Sequence, residues 1–197
     1  GEYIEKQIRI MSTGDEPSAI KISAPGLPDL VSFDSDSFTI KPGQTKVVRL
    51  NFSSYIADDS IEQQTGIYVG KLLVASEKAS REIPIIIEIE TKNVLFDMNL
   101  NPVAIERKVK QGEDTTIEVR LFNLETIESA NVDVEYFVKD TNGNTIITES
   151  ETVVAKTQAS FFKTISIPKN LKPGHYIFAA KSKFGNSSCR KAKSLTP

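Results

Sequence analysis

The sequence predicts an all-β protein built as two consecutive antiparallel sandwiches, and three observations carry that prediction. First, apolar residues recur at every second position through most of the chain, and no stretch sustains the 3.6-residue period of a helix. Second, one phrase occurs twice. Phe38-Thr-Ile-Lys-Pro-Gly-Gln-Thr-Lys-Val-Val-Arg-Leu-Asn-Phe52 is echoed by Lys108-Val-Lys-Gln-Gly-Glu-Asp-Thr-Thr-Ile-Glu-Val-Arg-Leu-Phe122. Each is a Gly-centred turn feeding an alternating strand that ends in Arg-Leu and an aromatic. A further echo sets Gly66-Ile-Tyr68 beside Gly174-His-Tyr176. Third, 197 residues divide naturally into two sandwiches of about 100 residues each. The expected domains are 1–92 and 93–197.

In the first domain Ile8 and Ile10 share one face of an opening strand, and Ile20 and Ile22 share a face of the next. Met11 to Pro17 between them carries Ser, Thr, Gly, Asp and Pro, the composition of a turn. Ala24-Pro-Gly-Leu-Pro28 reads as a loop, because two prolines remove donors that a sheet needs. Phe38 and Ile40 lead to Pro42-Gly43, where proline presets φ and glycine accepts a positive one. Val48, Leu50 and Phe52 then point inward. Tyr68, Leu72 and Val74 form the next core stripe, with Gly70 where a side chain is missing. Ile83, Ile85, Ile87 and Ile89 close the domain, and Pro84 marks that strand as an edge or as its start.

Thr91-Lys-Asn93 is a short polar junction. Beyond it Val94, Phe96, Met98 and Leu100 share a face, as do Ile117, Val119 and Leu121. Val132, Val134, Tyr136 and Val138 alternate with Asp133, Glu135, Phe137 and Lys139. Asn142-Gly143 predicts a two-residue type I′ hairpin, since both its central residues need positive φ. Ile146 to Val154 returns and Phe161 to Ile167 follows. Pro173-Gly174 then turns into a strand with Tyr176, Phe178, Ala180 and Phe184 inward. Only 23 residues separate Gly43 from Gly66, whereas 62 separate Gly112 from Gly174. The second domain thus holds an extra hairpin, and the two are related in plan without being identical repeats.

Composition bounds the setting. Apolar residues make up 39% of the chain, too many for a disordered segment. No window approaches the roughly 20 apolar residues of a membrane-spanning helix, and no signal-peptide pattern opens the chain. Because Gly1-Glu2-Tyr3 leads straight into strand-like sequence, a fragment of a longer protein is expected. The net charge of −2 conceals an asymmetry: no Asp or Glu follows Glu151, while Lys156, Lys163, Lys169, Lys172, Lys181, Lys183, Arg190, Lys191 and Lys193 all do. That basic C-terminal half is a candidate face for an anionic glycan or a membrane surface, weighed against a plain set of solvated lysines. It lacks the aromatic-and-glycine phrase of a nucleic-acid binder, so no nucleic-acid partner is expected.

Several phrases resemble known families. Ser35-Asp-Ser-Phe-Thr-Ile-Lys-Pro-Gly-Gln44, Gly66-Ile-Tyr-Val-Gly-Lys71 and the isoleucine-rich strand after them resemble the NEW3-like immunoglobulin-like domains of archaeal and bacterial surface proteins. Lys110-Gln-Gly-Glu113, Leu121-Phe-Asn-Leu124, Val134 to Asn144 and Leu171-Lys-Pro-Gly-His-Tyr176 are similar to archaeal cell-surface modules of the CARDB-like type. The resemblance implies tandem immunoglobulin-like or fibronectin III-like sandwiches in a membrane-anchored or S-layer-like surface protein. Such a module spaces or displays other domains, adheres, and meets neighbouring surface proteins. It carries no catalytic or ligand residue to transfer. Where a final apolar strand is expected after Asn186, the chain reads Cys189-Arg-Lys-Ala-Lys193, which leaves the last strand unplaced.

The candidate sites are few. Asn51-Phe-Ser53 and Asn186-Ser-Ser188 match the N-glycosylation acceptor pattern. Asp34, Asp36, Asp58, Asp59 and Glu62 are loop acids; clustered, they would suit calcium, and separately they are solvated turn residues. His175 is the only histidine and Cys189 the only cysteine, so no zinc set and no intramolecular disulfide can form. A Cys-His nucleophilic pair would require the two to meet in space. Tyr68 and Tyr176 are read as core residues whose hydroxyls reach backbone groups. Of Phe137 and the Phe161–Phe162 pair, some ring must face outward as a contact surface or against another part of the chain. No cofactor, metal or catalytic residue is expected, and the chain is read as non-enzymatic. Two other readings are an accessory or carbohydrate-binding domain of a secreted glycosidase, which needs an aromatic platform, and a chaperone that adds strands to an open edge. Pro84 and the C-terminal lysines blunt such edges.

Overall fold

The computed structural model describes residues 3–27, 30–54, 65–90, 94–103, 109–125 and 128–195. Every regular element among them is a strand. They are β1 (Tyr3–Met11), β2 (Ser18–Ser23), β3 (Val31–Phe33), β4 (Ser37–Ile40), β5 (Thr45–Ser53), β6 (Gly66–Ala75) and β7 (Ser80–Ile89). After these come β8 (Phe96–Pro102), β9 (Asp114–Asn123), β10 (Ala130–Asp140), β11 (Thr145–Ala155), β12 (Gln158–Ser166), β13 (Tyr176–Phe184) and β14 (Ser187–Leu195). The chain divides into two compact units, Gly1–Gln64 with Gly70–Ile85, and Thr65–Val69 with Ile86–Pro197. The division passes through β6 and β7. The junction Thr91–Asn93, where the sequence reading ends its first domain, lies outside the described residues.

The first unit pairs a sheet of order β1-β5-β3 with one of order β4-β2-β6-β7. Alternation along β5 buries Val48 and Leu50, and Ile22, Ile40 and Leu72 join them. Phe52, expected inside, is only half-buried near the end of β5, between the exposed Ile4 and the buried Val31. Tyr68 and Val74 are likewise half-buried, and Ile8 and Ile10 are so because β1 is an edge strand. Ile83 is 43% exposed on β7, an edge strand of the other sheet, the kind of strand on which a proline is tolerated. Gly70 is buried. An added Cβ there would stand 2.6 Å from Leu27 Cγ and 2.9 Å from the Pro25 carbonyl oxygen, so the loop before β3 closes onto β6 only over a glycine.

The second unit sets β12-β9-β8 against β11-β10-β13-β14. Val132, Val134, Tyr136 and Val138 of β10 all face its core with Ile117, Val119 and Leu121 of β9. The β10–β11 hairpin departs from the expected two-residue turn. Gly143 N donates to Asp140 O, Asp140 N donates to Asn144 O, and Gly143 has φ 87°, the pattern of a three-residue loop with a glycine bulge. Asp140 explains the choice: its carboxylate accepts from the backbone N of Asn142 and Asn144 and from Asn144 Nδ2, each at 2.9 Å.

Two further departures concern the last strands. The segment from Cys189 to Lys193 lies within a regular β14 paired along its whole length with β13, and Cys189, Ala192 and Leu195 are buried. β13 in turn is buried on both faces from Tyr176 to Ala180. Tyr176, Phe178 and Ala180 face the sandwich core; Ile177 and Ala179 pack with Val69 and Ala192 in a second cluster joined by Ile67, Ile86 and Phe137.

The twice-occurring phrase marks equal geometry but unequal topology. Gln44 N donates to Lys41 O and Glu113 N to Lys110 O, with Gly43 at φ 71° and Gly112 at φ 73°. Each glycine N–H also reaches the end of a neighbouring strand, Ser12 O or Ile167 O. Each phrase thus enters the central strand of a three-stranded sheet. In the first unit the strand closing the turn, β1, comes earlier in the chain; in the second, β12 comes later. The phrase is a solution for starting a central strand rather than proof of one duplicated unit.

Candidate functional site

The residues with chemical potential lie apart. His175 is exposed just before β13, while Cys189 pairs with Ser182 in mid-hairpin. Seven positions of strand at about 3.3 Å each separate them by roughly 23 Å, too far for a nucleophile and its base. The Cys189 thiol is buried, and burial together with the Glu90 charge pushes it up to about 12. Its Sγ sits 3.7 Å from Glu90 Oε1 and 3.9 Å from Asp97 Oδ1.

Around that thiol is the best organised polar group of the second unit. Glu90 Oε1 accepts the Arg190 backbone N–H at 3.1 Å, and Glu88 Oε1 accepts that of Ala192 at 2.7 Å. The alternate spacing of two glutamates thus matches the alternate outward N–H groups of an edge strand and covers them. Lys191 Nζ stands 3.6 Å from Glu88, 3.6 Å from Glu90 and 3.8 Å from Asp97. Partial burial works against its ammonium, but the three carboxylates outweigh it and raise its pKa. Its positive charge is what lets three acids share one place.

Other predicted positions are distributed as follows. Asp34 accepts the Arg49 backbone N–H at 2.9 Å and pairs with its Nε at 3.1 Å, which holds its carboxyl below the ordinary range. Asp58, Asp59 and Glu62 lie outside the described residues, and no group of three or more potential metal ligands occurs among the described ones. Asn186 is exposed in the turn between β13 and β14, whereas Asn51 is half-buried within β5, paired on both sides. Tyr176 is buried and donates to Lys172 O at 2.6 Å, as expected of a core tyrosine; Tyr68 is half-buried. Phe162 points outward, 67% exposed, while Phe161 packs on the core.

Part of the basic C-terminal half is balanced in space, by pairs of Lys163, Lys181 and Lys191. Lys163 reaches Glu149 at 2.8 Å, with its side chain only 16% exposed and its Nζ 5.0 Å from the Tyr136 ring. Lys181 lies 3.6 Å from Glu135. The acids of these pairs come from earlier strands, so at Lys163, Lys181 and Lys191 an asymmetry along the chain becomes local pairing. Small hollows open among the described residues of the second unit. One of about 120 Å³ is lined by Ile67, Phe137, Lys139, Thr145, Ala179, Lys181 and Arg190. A second, of about 260 Å³, lies at the β13–β14 turn and shares Lys181 and Arg190 with the first. Sequence reasoning named these cations only as members of a basic half; their convergence depends on the β13–β14 register.

No family model matches the chain, and no curated protein matches it. Solved structures of bacterial proteins do. The Pseudomonas aeruginosa CupB2 chaperone aligns at 9% identity and a TM-score of 0.36, over 98% of this chain and 92% of that one. The Bacteroides uniformis beta-glucuronidase aligns at 8% identity and 0.38, over 98% of this chain and 26% of that one. Bacteroides uniformis beta-glucuronidase 2 aligns at 9% and 0.36, again over 98% and 26%. The chain therefore spans about a quarter of each glucuronidase. These likenesses are too slight to argue function from. What the fold itself shows is coarser than the archaeal NEW3-like and CARDB-like resemblance: an all-β chain of tandem immunoglobulin-like sandwiches.

Proposed function

We propose that the chain is a non-catalytic accessory module that spaces or positions other domains of a larger extracellular protein. The carrying observation is the employment of its reactive side chains. The one thiol is buried against two carboxylates, Glu90 and its neighbour Glu88 are occupied with the hydrogen bonding of an edge strand, and the one histidine is about 23 Å away along the hairpin. The polar side chains cap turns, cover an edge and balance buried charge. Sheets held by continuous ladders over apolar cores resist deformation, which is the property a spacer needs. The archaeal surface setting rests on the turn and core phrases alone. Exchanging the chain, within its parent protein, for an unrelated pair of β-sandwich domains tests the proposal: retained display or activity of the remaining domains is expected, and loss despite correct folding opposes it.

A second reading is favoured by one observation, the cation-lined hollow at the β13–β14 turn. It makes the chain an accessory domain that holds an acidic saccharide beside the catalytic domain of a secreted glycosidase. Exposed rings do not support an aromatic platform: Tyr3 and Phe162 are the strongly exposed ones among the described residues, on strands of different units.

A further inference from the structure

We infer that the hollow at the β13–β14 turn is an oxyanion site, taking a carboxylate, sulfate or phosphate group. Three cations converge there. Lys181 and Arg190 are direct cross-strand partners, and Lys183 lies opposite Ser188 on the same hairpin. Like charges directly opposite on a sheet repel, so this pairing costs stability unless an anion offsets it. Glu135, on the neighbouring β10, lies 3.6 Å from Lys181 and offsets part. Asp133 is paired in register with Lys183, and its carboxylate accepts from Thr152 Oγ1. None of the residues lining the 260 Å³ hollow is acidic.

The second observation is independent of charge. Arg190 Nη1 is the one buried side-chain polar atom without a hydrogen-bond partner among the described residues. A buried, unpaired guanidinium N–H is costly, and a turn of the Arg190 side chain toward an oxyanion in the hollow that this residue lines would relieve it. The surroundings suit that ligand. Asn186, Ser187 and Ser188 add amide and hydroxyl donors to the wall. Ser187 Oγ already accepts the Leu95 N–H at 2.9 Å, which leaves its own proton to donate. On the other side of Lys181 and Arg190, the smaller hollow is floored by Ile67, Phe137 and Ala179. That apolar floor lowers the local dielectric and strengthens the field of both cations. The larger hollow exceeds one oxyanion, so the group can arrive on a sugar as well as free.

This inference goes beyond the spacer reading and stands whether or not that reading holds. The test is an NMR titration of unglycosylated protein with sodium sulfate against sodium chloride at constant ionic strength. Saturable shifts are expected in the amides of Asn186, Ser187 and Ser188 and in Arg190 Nε–H. R190Q and K181Q should each weaken binding about tenfold, the loss of one charge-assisted hydrogen bond. K183Q, changed at an exposed position, tests the same site should either variant fold poorly. A sulfated oligosaccharide that binds more tightly than free sulfate identifies a glycan source, and equal affinity identifies the free ion; both support the site. Shifts that rise without saturating, or equal affinity in correctly folded R190Q, K181Q and K183Q, would overturn it.

Discussion

Gly70→Ala probes the packing of the first unit at its tightest point. An ideal Cβ at position 70 would lie 2.6 Å from Leu27 Cγ, 2.8 Å from Leu27 Cδ1 and 2.9 Å from Pro25 O. Carbon atoms in ordinary contact stay about 3.5–4.0 Å apart, so the methyl and the loop cannot both remain. Rotating Leu27 answers only two of the three clashes, because the third is with backbone. Leu27 is 1% exposed, and the Leu27 N–H to Ala24 O bond holds the loop's shape. Lifting the loop also breaks the long Lys71 N–H to Pro25 O contact at 3.5 Å. Overpacking of this kind costs about 1–3 kcal/mol, and the backbone clash argues for the upper half. With a urea m-value of about 1–3 kcal/mol/M, the midpoint should fall by about 1 M. Urea unfolding followed by far-UV circular dichroism reads it. Leu27→Ala alone should also destabilise, but the double variant should cost less than the two singles together, since removing Leu27 makes room for the methyl. A G70A protein as stable as the wild type, or a strictly additive double variant, would refute the argument.

Three further outcomes follow. Cys189, with its thiol pushed up to about 12 against a reference of 9.0, should form thiolate about a thousandfold less readily than an ordinary cysteine. Alkylation of the folded protein should therefore be negligible until denaturant is added; rapid native labelling contradicts its place in the core. Asp34 has a folded pKa held low first by the Arg49 backbone N–H and then by its side chain. Its stabilisation is present above the unfolded carboxylate value of about 3.9 and is lost as pH falls through the lower folded value. The stability gap between wild type and D34N should thus shrink on acidification, and a gap independent of pH opposes the pairing. In a host that glycosylates Asn-X-Ser, Asn186 in its exposed turn should carry glycan and Asn51 within β5 should not; peptide mass spectrometry showing the reverse would count against the placement of both strands.

Much of this fold is visible in local pattern. Alternation in residues 132–138 and 117–121 states which face is buried, and Gly43, Gly112 and Gly143 all adopt the positive φ that their turns require. Gly70 reads correctly as a place with no room for a side chain. What local pattern misses is a strand with two buried faces. Ile177 and Ala179 interrupt the alternation with apolar residues, the one signal that β13 is covered on its second side. The Asn142-Gly143 pair suggests a two-residue turn, yet Asp140 supplies three hydrogen bonds that favour a longer loop. The polar group around Lys191 is illegible for another reason: Glu88 and Glu90 meet Ala192 and Arg190 across about a hundred residues, and no short window contains both halves. Cys189 to Lys193 does not read as a final strand because three of its five residues are cationic; Lys191 is accommodated in the sheet by carboxylates that earlier strands supply.

The central claim is that this chain works by bearing load through closed sandwiches rather than by chemistry. Single-molecule stretching between the two ends of the chain tests it most directly. The account predicts discrete rupture events whose summed length approaches that of the whole chain at about 3.3–3.6 Å per residue. Gradual extension at low force, with no discrete rupture, would contradict it.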